Sequence, residues 1–421
     1  MPPQPPSAAS RDEPVIRDRG DACPGALRLH AADDGYLARV RIPGGLLTTR
    51  QAAVLGLAAE RFGDGHLELT SRGNVQLRGL ADGCGAGLAE LLDGAGLLPA
   101  PSHERVRNIV ATPLGGSLVV DWVRELDRLL CASTRAAALS GRFLFALDDG
   151  RGDVAALDPD VTVLGAGPGV SGRALVRLGA AADAVEVDAA DAPRAALLAA
   201  EYFLDSADAA GNRAWRVAEL GVEHALEARE FALRLGAAGI AAGHRPEVAW
   251  PYTEPPRPWG EYGAGLCVLL PLGRLDSAQW RVLAEAAGGE LRVTPWRSVI
   301  LPRAAADGCD RIEAAGLVVR PGSPWLSVTA CTGQPGCAKS LADVRADARA
   351  VVAQSPGDLP VHWSGCARRC GHPRGTAWVD LVATPDGYEL DARPVPHTDL
   401  AAALTAARRP RTRTTTPPPS Q

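Results

Sequence analysis

The sequence predicts an α/β (α+β) protein with a pseudo-two-fold internal repeat and two further α/β lobes. Residues 35–80 and 263–302 share one order of elements: a strand ending in Pro-x-Gly, a capped helix, a glycine-rich turn and a second strand. The length of 421 residues is too great for one ordinary core and allows two to four structural units. Because neither copy could bury its sheet face alone, we expect the two copies to pack together.

Matching positions define the elements of each copy. The first strand ends at Pro43 to Gly45 in one copy and at Pro271 to Gly273 in the other. Ser, Thr and Asp residues before each helix are suitable N-caps, and Gln51 and Gln279 occupy the same place in the two helices. The apolar spacing of the first helix fits one buried face. The repeat therefore predicts two strand–helix–strand half-domains.

The predicted organisation has six segments. They are a disordered Pro-rich tail over 1–20, a first half-domain over 23–97, an α/β lobe over 98–247, a second half-domain over 250–304, a cysteine-bearing α/β lobe over 305–405 and a disordered tail over 408–421. Within the first lobe, VTVLGAGPGVSG is similar to a dinucleotide fingerprint. Its third glycine position is Val170 and a strand pattern follows, so we predict a Gly-Pro hairpin and no Rossmann NAD site.

Composition excludes several classes of partner. A net charge of −5 lacks the basic footprint that nucleic-acid binding requires. The chain has no apolar run long enough to cross a membrane and no stretch like a signal peptide. With nine cysteines, an odd number, these features predict a cytoplasmic protein.

Four cysteines near the C-terminal end form two pairs in glycine-rich turns. They are Cys331-x5-Cys337 in TACTGQPGCAKS and Cys366-x3-Cys370 in HWSGCARRCGHP. Four thiolates are the ligand set of a [4Fe–4S] cluster, whereas zinc knuckles space their cysteines two to four apart. Buried structural thiols are disfavoured because glycines and polar residues flank all four. His362 and His372 bracket the second pair, and we expect them to donate hydrogen bonds nearby more readily than to bind metal.

The cysteine spacing and the repeat resemble the sulfite and nitrite reductase superfamily over about residues 23–400. This resemblance implies two ferredoxin-like half-domains, a [4Fe–4S] cluster and a second iron centre, either non-haem iron or sirohaem. Cys370 matches the cysteine that bridges the cluster to the second iron. Arg39 and Arg107 match arginines that face the substrate, and Arg72 and Gln76 match a Thr-x-Arg-x-x-x-Gln element that contacts the macrocycle.

Arginines and neighbouring polar residues are candidates for binding a tetrapyrrole. They are Arg39, Arg41, Thr70, Arg72, Gln76, Arg78, Arg107, Asn108 and Arg142. Arginine matches carboxylates bidentately, and a modified tetrapyrrole carries up to about eight carboxylates, so an acidic protein needs a local basic pocket to hold one. A solvated strand face is the alternative for any single arginine.

Three departures from the reductases are informative. Where the reductases carry two lysines that bind and protonate an oxyanion, this chain has Arg142 and Leu144. Glu68 stands where they tend to place an arginine, and the chain is shorter than typical members. These features, with the RIPGG, TSRGN-x-QLRGL and SGC-x-x-x-C segments and the His372-Pro373 pair, resemble the precorrin-3B synthase branch.

That branch implies an oxygen-dependent monooxygenase of aerobic cobalamin biosynthesis. Its substrates would be precorrin-3A and O2, and its product would be a hydroxylated macrocycle closed as a lactone. Its electrons would come from ferredoxin or an NADH-linked reductase. Two alternatives stay open, a sirohaem-dependent sulfite or nitrite reductase and a non-catalytic iron–sulfur electron carrier or sensor. Tightly bound sirohaem in the purified protein would favour the reductase.

Overall fold

The computed structural model describes residues 21, 23–167, 172–251, 257, 259–263, 265–373 and 377–409. The tail predicted over 1–20, residue 170 of the predicted hairpin and residues 410–421 lie outside the described residues. Arg408, at the start of the tail predicted over 408–421, differs from that prediction because it is 1% exposed. Its guanidinium donates hydrogen bonds to the carbonyls of Leu359 and Gly357 and to Ser327 Oγ, so it closes the last lobe.

The first copy of the repeat forms an antiparallel sheet with helices on one face. Its elements are β1 His30–Ala32, β2 Gly35–Val40, β3 Leu46–Thr48, α1 Thr49–Phe62, β4 His66–Leu69, β5 Val75–Leu80 and α2 Gly85–Gly94. The predicted cap is present: Thr48 and Gln51 form a reciprocal capping box that satisfies two backbone N–H groups at the start of α1.

The first lobe contains a mixed sheet covered by helices. Its elements are β6 Ile109–Ala111, α3 Ser117–Ala132, β7 Phe145–Asp148, β8 Val161–Gly165, β9 Arg173–Leu178, β10 Ala184–Asp188, α4 Ala192–Ala210, α5 Ala228–Ala237 and β11 Ala242–Arg245. The sheet order is β11-β10-β9-β8-β7-β6. Strands β8 and β9 pair antiparallel, which confirms a hairpin where a dinucleotide fingerprint would need a helix.

The second copy repeats the first and interlocks with it. Its elements are β12 Gly260–Tyr262, β13 Gly265–Leu269, β14 Arg274–Asp276, α6 Ser277–Ala286, β15 Glu290–Val293 and β16 Ser298–Leu301, with α7 Gly308–Ala314 packed on α6. The two sheets have the orders β1-β2-β5-β4-β14 and β12-β13-β16-β15-β3. Each copy thus lends one strand to the other's sheet.

The two copies share one hydrophobic core, which confirms the predicted pseudo-two-fold packing. Helices α1 and α6 lie against each other, and Trp280 on α6 donates a hydrogen bond from Nε1 to the carbonyl of Ala52 on α1 at 2.6 Å. Gly56 allows this approach, because a Cβ there would lie 3.1 Å from the Trp280 ring. Ile312 on α7 belongs to the same core.

The last lobe carries the cysteines on a small sheet of order β17-β18-β19-β20-β21. Its elements are β17 Val328–Ala330, α8 Val344–Val351, β18 Val361–Ser364, β19 Val379–Thr384, β20 Gly387–Leu390, β21 Arg393–Val395 and α9 Leu400–Ala407. Strands β17, β18 and β19 are parallel neighbours. Their carboxyl ends therefore lie at one edge of the sheet, which is where loops commonly form binding sites.

Candidate functional site

The four predicted cluster cysteines line one cavity. Cys331 directly follows β17 and Cys366 follows β18 after one residue, so the two parallel strands deliver both cysteine turns to the same edge. The Cys331 N–H donates to the Trp363 carbonyl, and the Gly365 N–H donates to Cys331 Sγ at 3.2 Å. Cys331, Cys337, Cys366 and Cys370 all border a cavity of about 260 Å³. The tertiary structure thus brings together cysteines that are up to 39 residues apart.

This arrangement fits a cluster better than a single ion. Zinc draws its thiolates to within about 2.3 Å of one point. Within the described residues, no group of three or more Cys, His, Asp or Glu side chains converges closely enough to hold one metal ion. The four thiols border one cavity, and four thiolates are the ligand set that an iron–sulfur cube requires. Burial raises the pKa of the Cys331 thiol, hydrogen bonds from the Gly365 and Gly333 N–H groups oppose this, and the nearby Cys370 and Cys366 raise it further.

A clasp from the first half-domain secures the Cys337 turn. We define the clasp as Asp33, Asp34 and Arg78. Arg78 on β5 donates two hydrogen bonds of 2.8 Å to the Asp34 carboxylate and a third, of 2.7 Å, to the Gly336 carbonyl. Asp33 accepts a hydrogen bond from the Ala338 N–H. The clasp therefore places Arg78, expected to bind the tetrapyrrole, against the cysteine cavity.

His362 supports the second cysteine turn. It is fully buried, and its pKa falls to about 4 because of burial and the nearby Arg297 cation, so the ring is neutral. Since the Cys370 carbonyl can only accept, His362 Nε2 donates to it at 3.1 Å, and Nδ1 accepts from Thr329 Oγ1 at 2.8 Å. Both ring nitrogens are thus engaged. His372 is exposed and stacks on Trp378.

A row of polar side chains crosses the first sheet toward the cysteine lobe. Arg39, Gln76 and Glu68 occupy directly opposed positions on β2, β5 and β4. Arg39 Nη2 donates to Gln76 Oε1 at 2.9 Å, and Gln76 Nε2 donates to Glu68 Oε2 at 3.2 Å. Arg345 on α8 then donates to Glu68 Oε1. Glu68, which stands where the reductases tend to place an arginine, therefore ties the half-domain to the cysteine lobe.

The corresponding row of the second copy is mostly apolar. Alignment on Pro43 and Pro271 puts Cys267 at the place of Arg39, and alignment on Thr70 and Thr294 puts Ile300 at the place of Gln76 and Arg292 at the place of Glu68. Cys267 and Ile300 are opposed on β13 and β16. Two of the three positions of this row in the second copy therefore lack the polar side chains of the first copy.

Three of the predicted arginines have no carboxylate partner within the described residues: Arg39, Arg72 and Arg142. Burial lowers the pKa of Arg72, and the like charges of Arg216 and Arg142 lower it further, which shows that these cations are close. Arg39 Nε is buried without a hydrogen-bond partner. Arg142 lies 5.6 Å above the Trp215 ring. Partly buried cations that lie close together without a direct carboxylate partner form a basic patch suited to an anion.

Four other predicted residues serve the protein's own framework. The three guanidinium nitrogens of Arg107 are used by the Asp127 carboxylate, at 2.7 Å twice, and by the Leu97 carbonyl. Arg41 donates to the carbonyls of Arg105 and Gly141 and to Asn108 Oδ1. Asn108 is fully buried, and Thr70 Oγ1 accepts backbone N–H groups of its own turn. Arg41, Thr70, Arg107 and Asn108 are therefore better explained as structural residues than as ligand contacts.

Leu144, two residues after Arg142, lies in an apolar cluster. Its side chain is 2% exposed and packs with Val110, Ala146 and Val154, with Trp296 against them. A lysine ammonium at this position would have to be buried among hydrocarbon groups. The side chain at this position therefore supplies no proton, although the Leu144 N–H donates to the Asp160 carboxylate at 2.8 Å and burial raises the pKa of Asp160 to about 6.

Two residues of the site escaped sequence reasoning. Arg345 is 277 positions from Glu68, and nothing local to α8 marks it as a partner. Arg297 is conspicuous only when the two copies are aligned, where it replaces Gly73. That alignment is a sequence signal that could have identified it.

Comparison with known proteins agrees with this architecture. A profile of the nitrite/sulfite reductase ferredoxin-like half domain matches residues 30–92 and 260–315, the two copies of the repeat. The structure of the Mycobacterium tuberculosis NirA protein superposes with a TM-score of 0.63 at 19% identity, covering 84% of this chain and 73% of that one, so the fold is shared. The chain therefore carries the two half domains of the nitrite/sulfite reductases and is similar to proteins of that superfamily over most of its length.

Within this superfamily the chain is similar to proteins of two named activities. Precorrin-3B synthase from a Sinorhizobium species is 28% identical over 409 residues, which cover 89% of this chain and 83% of that protein. Ferredoxin–nitrite reductase from Synechococcus elongatus is 27% identical over 389 residues, which cover 80% and 74%. Both names are those of redox enzymes, which supports an oxidoreductase activity here. No helix in the described ranges is long and apolar enough to cross a membrane.

Proposed function

We propose that this chain is a precorrin-3B synthase-like monooxygenase. It would bind precorrin-3A, a polycarboxylate tetrapyrrole, and insert one oxygen atom from O2 with closure of a lactone. The observation that carries the proposal is the group of Arg39, Arg72 and Arg142, cations that have no carboxylate partner in the described part of the chain, together with the apolar cluster at Leu144. The similarity to precorrin-3B synthase over most of both chains supports the same activity.

The arginine group supplies what a polycarboxylate macrocycle needs. A guanidinium presents parallel N–H donors that match a carboxylate, and such charge-assisted bonds are strong where water is excluded. Trp215, beneath Arg142, and Trp296, beside Leu144, add apolar surface on which a flat ring can pack. The ligand would therefore be held by charge at its rim and by apolar contact at its face.

Leu144 favours oxygenation over oxyanion reduction. Reduction of nitrite or sulfite transfers six electrons and several protons, so positioned proton donors are essential. Leucine supplies neither a charge nor a proton, and the neighbouring Asp160 carboxylate is engaged by Arg216 and by the Leu144 and Val217 N–H groups. Monooxygenation requires only two electrons and two protons: one oxygen atom enters the product and the other leaves as water.

Cys331, Cys337, Cys366 and Cys370 would hold the [4Fe–4S] cluster, which transfers single electrons when bound. A second iron centre beside Cys370, non-haem iron or sirohaem, is part of the proposal and would supply the oxygen chemistry. An external donor, ferredoxin or an NADH-linked reductase, would provide the electrons. The protein's own residues orient the macrocycle by its carboxylates and keep the clasped cysteine turns in place.

A ferredoxin-dependent nitrite reductase is the second candidate. It is favoured by the similarity to the Synechococcus elongatus enzyme, which nearly equals that to precorrin-3B synthase. The polar row with Arg39 is compatible with a small anion as well as with a ligand carboxylate. The two candidates differ in whether the tetrapyrrole is the substrate or a resident cofactor.

One experiment separates them. The protein is reconstituted anaerobically with iron and sulfide, then given precorrin-3A, a ferredoxin reducing system and ¹⁸O2. We expect a product one oxygen atom heavier that carries the label, and slow or absent consumption of nitrite and sulfite. Rapid nitrite or sulfite reduction with precorrin-3A left unchanged would reject the monooxygenase in favour of the reductase.

A further inference from the structure

Arg297 occupies a backbone conformation that favours glycine. It lies in the turn between β15 and β16 with φ +61°, and the equivalent residue of the first copy is Gly73 with φ +65°. The left-handed region penalises residues with a Cβ. The second copy therefore has the same turn as the first, with an arginine where the backbone conformation favours glycine. A residue that tolerates this cost is expected to have a role for its side chain.

The guanidinium of Arg297 is enclosed without a partner. Its Nη1 nitrogen is buried and has no hydrogen-bond partner among the described residues, and the side chain forms no ion pair with them. Burial lowers the pKa of Arg297, and the Arg345 cation lowers it further. The backbone conformation of Arg297 and the burial of its charge both cost free energy. We therefore expect a bound anion to compensate the charge.

The surroundings of Arg297 place it between the polar row and the second cysteine turn. A Cβ at Gly371, the residue after Cys370, would lie 3.4 Å from Arg297 Nη2. On the other side are Arg345 and Glu68, whose charges influence Arg297. Glu68 is engaged by Arg345 and Gln76, and its charge favours the Arg297 cation without a hydrogen bond or ion pair between them.

We propose that Arg297 binds a carboxylate of the tetrapyrrole ligand, so that the second copy of the repeat holds one side of a macrocycle whose other carboxylates are held by Arg39 and Arg72 of the first. This inference rests on the proposed function only for the class of ligand, a tetrapyrrole, and does not depend on the reaction proposed there. It assigns a binding role to a half-domain whose equivalent strand row is otherwise mostly apolar. The chain would thus grip its ligand from both copies.

The test compares ligand binding and stability in Arg297→Gly. The probe is uroporphyrin III, which carries eight carboxylates, and quenching of tryptophan fluorescence measures its Kd. We expect Arg297→Gly to raise the Kd at least about tenfold, equivalent to about 1.4 kcal/mol. The uncharged octamethyl ester should bind wild type and variant alike. The thermal midpoint of Arg297→Gly should not fall, since glycine suits the turn and removes a buried charge.

Arg213 offers a matched control. It also has a positive φ, of 50°, but its side chain is exposed, so Arg213→Gly removes the same charge and relieves the same backbone preference at the protein surface. Its Kd for uroporphyrin III should equal that of the wild type. Arg297→Lys should bind with an intermediate Kd, because it keeps the charge but loses the planar fork.

Three outcomes would overturn the inference. An unchanged Kd in Arg297→Gly would show that the residue does not contact the ligand. A lowered thermal midpoint, together with equal loss of acid and ester binding, would show a structural role. If wild type did not bind uroporphyrin III saturably, the ligand class would be wrong for this residue and for the proposed function. A different combination would reject only the proposed reaction. In that case the wild type does not turn over precorrin-3A, yet it binds uroporphyrin III and Arg297→Gly loses this binding.

Discussion

Replacing Glu68 by glutamine should weaken the attachment of the cysteine lobe to the first half-domain. Glu68 is 8% exposed and accepts hydrogen bonds from Arg345 on α8 and from Gln76 on β5. The Arg345 side chain is 11% exposed, so the two charges are shielded from water together. Neutralising Glu68 leaves the Arg345 cation in the seam without its counter-charge.

The magnitude follows from this burial. Removing one partner of a buried ion pair costs about 3–5 kcal/mol. Glutamine keeps the shape of the side chain and can still accept a hydrogen bond, and Arg345 also donates to the Cys331 carbonyl at 3.2 Å. We therefore expect a loss at the lower end, about 3 kcal/mol in the free energy of the first unfolding transition.

Urea unfolding followed by tryptophan fluorescence measures this loss, and a double-mutant cycle with Arg345→Gln isolates the pair. The coupling energy should lie near the upper part of the range of about 0.5–3 kcal/mol seen for contacting residues. The exposed pair Arg281–Glu60, which joins α6 to α1 with side chains 61% and 41% exposed, is the matched control. Its coupling should be only about 0.2–1 kcal/mol. Additive effects of Glu68→Gln and Arg345→Gln would refute the reasoning.

The same pair predicts a dependence on pH. Burial alone would raise the pKa of Glu68, but the Arg345 guanidinium outweighs it and holds that pKa below its usual value. A carboxyl with a depressed pKa contributes stability above its unfolded-state pKa, about 4.3, and loses it as the pH falls. The stability difference between wild type and Glu68→Gln should thus be largest near neutral pH and shrink below about pH 4. A difference that grows toward acid pH would contradict this sign.

Further outcomes are expected at the site. Cys331→Ser should abolish the visible and paramagnetic signals of the reconstituted cluster, whereas Cys267→Ser, buried in a strand, should retain them. Arg72→Ala should weaken uroporphyrin III binding by about 1.5–3 kcal/mol, the range for a charge-assisted bond. Arg107→Ala should leave that binding unchanged but lower the thermal midpoint, because it breaks the bidentate pair with Asp127. Arg78→Gln, which opens the clasp, should speed loss of the cluster to a chelator while preserving uroporphyrin binding.

Local chemistry made much of the fold readable from the sequence. The two Pro-x-Gly turns and the matching Gln51 and Gln279 predicted a repeat, and the structure has a reciprocal capping box at both places. The exchange of β3 and β14 between the two sheets left no such signal. Which sheet a three-residue strand joins depends on the packing of the whole unit and not on its own residues.

Residue type and spacing also predicted the candidate cluster ligands, because four cysteines in glycine-rich turns have few other uses. The sequence by itself determined the repeat, the cysteine set and the supply of arginines. Only the tertiary structure decided what each arginine does, since a guanidinium binds whatever carboxylate or carbonyl the fold presents. Arg107 meets Asp127, Arg78 meets Asp34, and Arg297 meets no anion among the described residues. The two ion pairs join residues 20 and 44 positions apart, and no local pattern encodes them.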